Sequence, residues 1–521
     1  MKTIFMATNR DSGTRSPWQA TKREKTKTHS EEYNKQGYDV LIIGAGITGI
    51  STALALQQNG KNCLVIEGHT IGFGTTGGTS AHINTFFDCT YPEIDSGFGQ
   101  EASKLIAAAG VQARDKIADN VRTYNIDCQF EHKTGYLFSE DEKQTKQLSD
   151  ILKSSANAGV TVSEAATNGL PIPFERSLEF ATQAQFHPMS YVCALADEFK
   201  RLGGRILEHT FIDKVETEDG IHTASFRNNS YSAENLVYAT HVPPGITRFS
   251  FRCAPYRSYV LGITLSDEKA YPNCMAYDMQ EPYHYFRSHV IDGKPLLLIG
   301  GADHKTGHDD PEKAYSDLES YARKYFDIKK VDYRWSSQYY VPADGLPYIG
   351  ELEGSDKGIF VATGFNGNGM TWGTISAQLI SDLILENENP YATLLSPTRL
   401  KPVAGFSEFV RENADVAYHF IADRFRTQHL HSLSELENGE GRVVDLDGEK
   451  LAVYRDSSGM VSALDPTCTH AGCTVCFNPA EKSWDCPCHG ARFDLSGKVL
   501  CGPPRKDLVK INLGTNTSAD E

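Results

Sequence analysis

The sequence predicts an α/β (α+β) domain built on a parallel sheet and interrupted by a second, antiparallel sheet, with a small all-β domain after it. Three observations carry this. A short apolar run, Tyr38 to Ile43, leads straight into Gly44-Ala45-Gly46-Ile47-Thr48-Gly49. Strand-like stretches around Phe226, Tyr231, Val260 to Leu265 and Leu296 to Gly300 separate it from a second glycine-rich turn at Gly364 to Gly369. Near the C-terminus, Cys468-Thr469-His470 and Cys486-Pro487-Cys488-His489 are two boxes that can each offer a thiolate and an imidazole.

At 521 residues the chain exceeds what one core normally serves, and with 40% hydrophobic residues it is expected to be globular. No apolar run approaches the length of a membrane span. A net charge of −16 argues against nonspecific binding to nucleic acid or to an anionic membrane. Among the twelve cysteines only the C-terminal group shows a pattern. Cys63, Cys89, Cys128, Cys193, Cys253 and Cys274 read as reduced residues of a cytoplasmic protein.

Residues 1–36 are rich in Lys, Thr, Ser and Arg, and their brief apolar stretch is too short for a secretory signal. They are expected to form a flexible, loosely packed extension, with a transit peptide as the alternative. Tyr38 to Ile43 then reads as a buried parallel strand, Ile47 to Gln58 as a helix, and Lys61 to Ile66 as a second strand ending in Glu67. This is the dinucleotide-binding arrangement, and each residue has a task. Gly44 permits the tight turn, Gly46 lets the backbone approach a pyrophosphate, and Gly49 lets helix and strand pack closely. The helix N-terminus around Ile47 and Thr48 favours a phosphate, and Glu67 can accept hydrogen bonds from ribose hydroxyls.

Beyond Glu67, Gly72 to Ala81 is a small-residue loop suited to wrapping a bulky group. Ile359 to Met370 reads as a strand ending in glycines, followed by a helix from about Thr371 to Leu385. Together with Asp344-Gly345-Leu346-Pro347-Tyr348-Ile349-Gly350, these segments resemble the D-amino-acid oxidase or glycine oxidase superfamily of FAD enzymes. The resemblance runs from Tyr38 to about Glu388, within an expected domain 37–388. It implies noncovalent FAD on a Rossmann-like fold, with Gly44, Gly46, Ile47, Thr48, Gly49, Glu67, Thr75, Thr76, Gly364, Gly367 and Met370 as contacts. Val215 resembles the position whose backbone meets the adenine.

The inserted antiparallel sheet is the expected substrate domain. In amino-acid oxidases a tyrosine and an arginine grip the substrate carboxylate, the arginine through a bidentate fork. The cluster Tyr283-His284-Tyr285-Phe286-Arg287 offers Tyr285 and Arg287 for such a lining; alternating aromatics also pack ordinary strands. The approach Trp335 to Pro342 lacks the arginine that many relatives carry there, which weakens carboxylate recognition. His82, just after the small-residue loop, could approach the flavin or simply be structural.

Residues 389–427 read as a linker with Pro390, Pro397 and Pro402, and then a connecting helix whose apolar face is Phe406, Phe409, Val410, Ala414, Ala417, Phe420 and Ile421. From 428 to 515, segments at Val443-Val444, Leu451 to Val453 and Val461 to Ala463 read as short antiparallel strands. The two Cys/His boxes fit a two-iron, two-sulfur cluster with thiolates on one iron and imidazoles on the other. Zinc binds mixed Cys and His sets, but its usual sites lack this pair of offset boxes. Cys473 and Cys488 are left over and read as a disulfide stapling the two loops. Thr467 to Val475, Asp485 to Asp494 and Gly502-Pro503-Pro504 closely resemble the Rieske iron-sulfur domain family, which implies Cys468, His470, Cys486 and His489 as ligands of a 2Fe-2S cluster. High-potential members place a serine and a tyrosine where Ala491 and Phe493 stand. Two hydroxyls that bond to sulfur are therefore missing, and a potential low in the Rieske range is expected.

The combined resemblance is to FAD-dependent oxidoreductases fused to a C-terminal Rieske domain. It implies a dehydrogenase of a small amine or amino-acid-like substrate, with electrons passing from flavin to cluster and on to an external acceptor. Two rivals are a reductase with reversed flow, served by an external donor, and an electron relay without small-molecule turnover. Oligomeric state is not legible.

Overall fold

The computed structural model describes residues 10–11, 13–20, 37–352, 354–399, 428–429, 433–446 and 448–513. Its first layer is a sheet whose central strand is the apolar run Tyr38–Ile43. Such a run suits a parallel strand covered on both faces, and Val40, Leu41 and Ile42 are completely buried. Parallel neighbours give the order Ile359–Thr363, Asn229–Tyr238, Tyr38–Ile43, Cys63–Ile66, Arg205–Leu207, with Tyr348–Glu351 antiparallel at one edge. The helices Ile47–Gln58 and Gly369–Ile384 cross closely over it: a Cβ on Gly373 would lie 2.8 Å from Ile47 Cγ2.

The second layer is a nine-stranded sheet ordered Ile328–Pro342, Cys253–Leu265, Lys294–Lys305, Tyr285–Ile291, Met275–Asp278, Glu131–Ser139, Arg176–Gln185, His82–Ile83, with Val162–Ala165 beside Arg176–Gln185. It is antiparallel except where Met275–Asp278 runs parallel to Glu131–Ser139. Val260 to Leu265 and Leu296 to Gly300 are paired here, as expected. The stretches at Phe226 and Tyr231 are not. They form a hairpin, Ile221–Phe226 with Asn229–Tyr238, and the second strand continues beside Tyr38–Ile43 in the first sheet. The strand is ten residues long and serves two partners in succession, Asn229 to Ala233 in the hairpin and its apolar end, Leu236-Val237-Tyr238, beside Tyr38–Ile43.

The C-terminal region holds two small sheets. One is ordered Gln428–His429, Gly441–Leu446, Glu449–Arg455, Val461–Leu464, Lys510–Ile511; the other Cys476–Asn478, Ser483–Asp485, Arg492–Asp494, Val499–Cys501. Trp484, Ala491 and Phe493 are fully buried beneath the two Cys/His loops. The connecting helix expected over Phe406 to Ile421 lies outside the described residues.

The flexible extension expected over residues 1–36 needs correction where it is described. Arg10, Asp11, Ser16 and Trp18 are all at most 2% exposed. Trp18 donates its indole N–H to Thr79 O at 2.7 Å, Ser16 Oγ donates to Gly77 O at 2.6 Å, and Gly13 N donates to Glu481 O at 2.8 Å. One large aromatic and a few polar groups anchor a segment whose composition is otherwise that of a solvated tail.

Candidate active site and cluster centre

The turn Gly44 to Gly49 is built as its glycines demand. Gly44 sits at φ +108°, and a Cβ there would lie 2.4 Å from Ala239 O. A Cβ on Gly49 would lie 1.9 Å from Gly44 O, so helix and strand touch because no side chain separates them. No side chain caps the helix that begins at Ile47, apart from Thr76 Oγ1 accepting from Ile47 N at 3.1 Å. Its N-terminal backbone opens onto a cavity lined by Gly44, Gly46, Ile47, Thr48 and Glu67, the donor-rich, positively polarised surface that a pyrophosphate fits. Glu67 accepts from Ala45 N and His69 N, both at 2.8 Å; burial raises its carboxyl, and these bonds oppose the rise.

Thr75, Thr76, Val215, Gly367, Met370 and Tyr285 line the same cavity. Gly364 does not; it makes a left-handed turn behind the wall at φ +77°, against Pro342. Arg287 is a second departure. Its guanidinium is wholly buried, donates to Ser80 O at 2.8 Å and Ala81 O at 2.6 Å, meets His289 Nδ1 at 2.8 Å, and lies over the Trp18 ring. It fixes the small-residue loop from behind and does not reach the cavity, because strand alternation points Tyr285 and Arg287 along the same face while only the nearer of the two meets the space. His82 lines the cavity edge-on to Tyr285, its ring Nδ1 2.9 Å from Ser80 Oγ; burial lowers it to about 3, so it stays neutral.

The far end of the cavity holds residues that the sequence did not single out. Tyr277, Tyr339 and Asp303 come from three strands of the nine-stranded sheet and Asp88 from a loop; Tyr283, of the aromatic cluster the sequence offered as a lining, joins them from another loop. Tyr339 donates to Asp303 Oδ2 at 2.8 Å, Tyr285 and Ser258 hydroxyls are 2.9 Å apart, and Gly367 N donates to Asp88 Oδ2 at 2.6 Å. Burial raises Asp88 to about 6 and Asp303 to about 7.

In the C-terminal domain Cys468 and Cys486 are buried and the His470 and His489 rings lie 4.7 Å apart. Nδ1 of both rings is buried without a hydrogen-bond partner. Two buried thiols that interact with each other and two unpartnered imidazole nitrogens on neighbouring rings are the donor set of a Rieske cluster, and Cys473 and Cys488 form a disulfide across the two loops. The histidine side of this centre is turned towards the first domain: His470 Nε2 is 3.2 Å from Gly245 O, and the His489 ring is edge-on to Phe251. Tyr340 donates to His489 O at 3.3 Å, and Gln338 Nε2 donates to Gly490 O at 2.9 Å and to Tyr340 Oη at 3.1 Å. Gln338 also lines the cavity, as do Leu500, Cys501, Gly502 and Arg505 of the C-terminal domain, and Asp11 of the N-terminal segment.

Fold and site thus define a flavin-dependent oxidoreductase with an attached iron-sulfur centre. Residues 39–383 match the family described as FAD dependent oxidoreductase, and residues 427–512 match the Rieske [2Fe-2S] domain. The chain belongs to this FAD-dependent oxidoreductase family, carries a C-terminal Rieske domain, and has FAD and a 2Fe-2S cluster as its cofactors. It is 33% identical to the iron-sulfur protein YhfW of Bacillus subtilis (strain 168), named for a Rieske 2Fe-2S centre, over 91% of this chain and 93% of that one. It is 23% identical to gamma-glutamylputrescine oxidoreductase of Escherichia coli (strain K12), over 66% of this chain and 83% of that one. Glycine oxidase from Geobacillus kaustophilus shares the fold, with a TM-score of 0.58 at 18% identity over 70% of this chain and 99% of that one. Among the described residues no helix is long and apolar enough to cross a membrane.

Proposed function

We propose that the chain oxidises a small amine or amino-acid-like substrate at the tyrosine-lined end of the cavity, and that the electrons leave through its own Rieske centre to an external acceptor. Bound FAD takes two electrons at once and the cluster carries one at a time, so together they convert a two-electron oxidation into single-electron steps. The observation that carries the reading is the shared wall. One cavity is lined both by the Gly44 to Gly49 turn and by Leu500 to Gly502, and Gln338 links it to the backbone beside His489. Such packing suits transfer inside one chain.

The protein's own part is binding and exclusion. The Tyr283 and Tyr285 rings, 6.0 Å apart, and Tyr339 enclose the substrate end, while Asp11 and the Gly502 to Arg505 segment close the side nearest the cluster. Relatives named for a putrescine conjugate and for glycine support an amine nitrogen as the group oxidised. The test is an anaerobic screen of amines, D- and L-amino acids and hydroxy acids. Flavin bleaching is followed optically and the reduced cluster by electron paramagnetic resonance. A compound that bleaches FAD and then reduces the cluster is expected. Cluster reduction by a chemical donor that then reduces FAD, with no compound bleaching FAD directly, would overturn the reading in favour of reversed flow.

A further inference from the structure

Resting on that reading, we propose that the substrate end of the cavity is a cation pocket, which takes a small aliphatic amine with no carboxylate beside the reacting carbon and uses Asp303 as its counter-charge and proton acceptor. Asp303 stands on the strand Lys294–Lys305, facing the cavity. Its Oδ2 is held by the Tyr339 hydroxyl at 2.8 Å, the Ser258 hydroxyl also stands beside the carboxyl and favours its charged form, and its Oδ1 is buried without a hydrogen bond. A buried acceptor left unmatched is costly unless something supplies a donor. An ammonium group supplies one, together with the opposite charge.

The surroundings favour a cation over an anion. Tyr277, Tyr283, Tyr285 and Tyr339 wall this end, and the faces of aromatic rings attract cations. Asp88 adds a second carboxyl. Among the described residues, Lys214 and Arg505 are the lysine and arginine lining the cavity, and both are engaged elsewhere. Lys214 pairs with Glu216 at 2.6 Å on the dinucleotide-binding side, and Arg505 donates to Pro244 O at 3.0 Å on the Rieske side. Arg287, the guanidinium that a substrate carboxylate would need, is spent on Ser80 O and Ala81 O. An α-amino acid would bring its carboxylate against Asp303 and Asp88 with no guanidinium to offset it, a like-charge contact in a poorly solvated space.

A Cβ on Gly367 would lie 2.8 Å from Asp88 Oδ2 and 3.1 Å from Tyr283 Oη, and one on Gly300 would lie 1.9 Å from the Tyr285 ring, so these glycines give the wall residues Asp88, Tyr283 and Tyr285 their places.

The chemistry balances as follows. The substrate arrives as RCH2NH3+, and its N–H proton moves to Asp303 Oδ1, leaving RCH2NH2 and a neutral carboxylic acid. The C–H bond next to nitrogen then breaks as the nitrogen lone pair forms the C=N bond of RCH=NH2+, and accepting the hydrogen with its two electrons is the chemistry that FAD, held by the Gly44 to Gly49 turn, supplies when bound. Water hydrolyses this to the aldehyde and ammonium. Burial raises Asp303 to about 7, which makes the protonated form accessible at neutral pH.

The test uses the full-length protein loaded with FAD and cluster, and two ligands of matched shape that cannot react: tert-butylammonium, which has N–H donors but no C–H bond next to nitrogen, and pivalate. Binding is read by calorimetry and by perturbation of the flavin spectrum. The tert-butylammonium ion is expected to bind at least about tenfold more tightly than pivalate, and Asp303→Asn to weaken it at least about tenfold. Where Asp303→Asn fails to load FAD, Tyr339→Phe, which releases the Asp303 carboxyl from a fixed donor, replaces it, with a loss of at least about threefold, the scale of one hydrogen bond. Pivalate binding as tightly as tert-butylammonium, no binding of the cation, or losses below those thresholds would overturn the cation pocket. The two readings fail separately. If the cation binds through Asp303 but no amine bleaches FAD, oxidation is wrong and the pocket stands; if amino acids bleach FAD and butylamine does not, the pocket is wrong and oxidation stands.

Discussion

At the scale of single residues, the cluster loops show what a missing atom does. Ala491 and Phe493 are fully buried against the ligand loops, and neither carries a hydroxyl. A hydrogen bond to a cluster or cysteine sulfur stabilises the reduced, more negative state, so its absence lowers the potential. Ala491→Ser is expected to raise it by about 20–65 mV, the one-electron equivalent of the roughly 0.5–1.5 kcal/mol a hydrogen bond contributes. A redox titration followed by electron paramagnetic resonance measures this; an unchanged or lowered potential would show that the added hydroxyl bonds elsewhere. Residue identity also separates the two predicted substrate side chains. Tyr285 reaches the cavity and Arg287 does not, although they stand two apart on one strand. Period two assigns a face, but how far along that face the open space extends is set by neighbouring elements, here the loop at Ser80 and Ala81.

Among the elements, the short segment Arg10 to Ala20 has the most unexpected place. Trp18 packs edge-on to His187 and His289 at 5.0 Å each, and its N–H holds Thr79 O at the end of the one-turn helix Thr75–Gly78. That helix carries Thr75 and Thr76 into the cavity. Trp18→Ala is therefore expected to cost about 3–5 kcal/mol of stability and to weaken retention of FAD. Thermal melts and the flavin-to-protein ratio after gel filtration check it; a variant with unchanged melting and full flavin would mean that the segment packs without supporting the site. The segment could have been suspected from Pro17-Trp18, an apolar pair in a polar stretch. Composition averaged over 36 residues hid it.

Across the whole molecule, the two domains and the N-terminal segment meet at a buried ionic cluster. Arg492 donates to Asp485 Oδ1 at 3.0 Å and to the backbone of Asp11, and Arg10 pairs with Asp11 at 3.1 Å. Burial opposes ionisation of both acids, but Arg10 and Arg492 around Asp11, and Arg492 and Arg257 around Asp485, hold both carboxyls below their usual 3.8. The folded state then binds fewer protons than the unfolded state once pH drops below about 4. The stability these groups contribute is fully present above that and is lost as pH falls through the lowered values. Melting temperature should be insensitive to these acids from pH 7 to about 5 and fall steeply below about 4, less steeply in Asp11→Asn. An equal acid slope in wild type and variant would remove Asp11 from the account.

The sequence by itself announced a dinucleotide site and an iron-sulfur cluster, because each is written in local chemistry, and its family resemblance narrowed the dinucleotide to FAD. A glycine turn between strand and helix, and two Cys/His boxes, keep their meaning wherever the chain places them. It also pointed to the disulfide pair and to some of the strands, Tyr38–Ile43, Cys63–Ile66 and Ile359–Thr363 in the first sheet and stretches of Cys253–Leu265 and Lys294–Lys305 in the second. Only the tertiary structure decided what converges from distant positions. Asp303 and Tyr339 are 36 residues apart and meet because their strands both flank Cys253–Leu265. Gln338 reaches Gly490, 152 residues away, across the domain interface. A carboxylate or a tyrosine on a strand carries no mark of the cavity it faces, since that face is created only when the sheets pack. Hence the cofactors were legible residue by residue, whereas the substrate end and the contact between cavity and cluster were not.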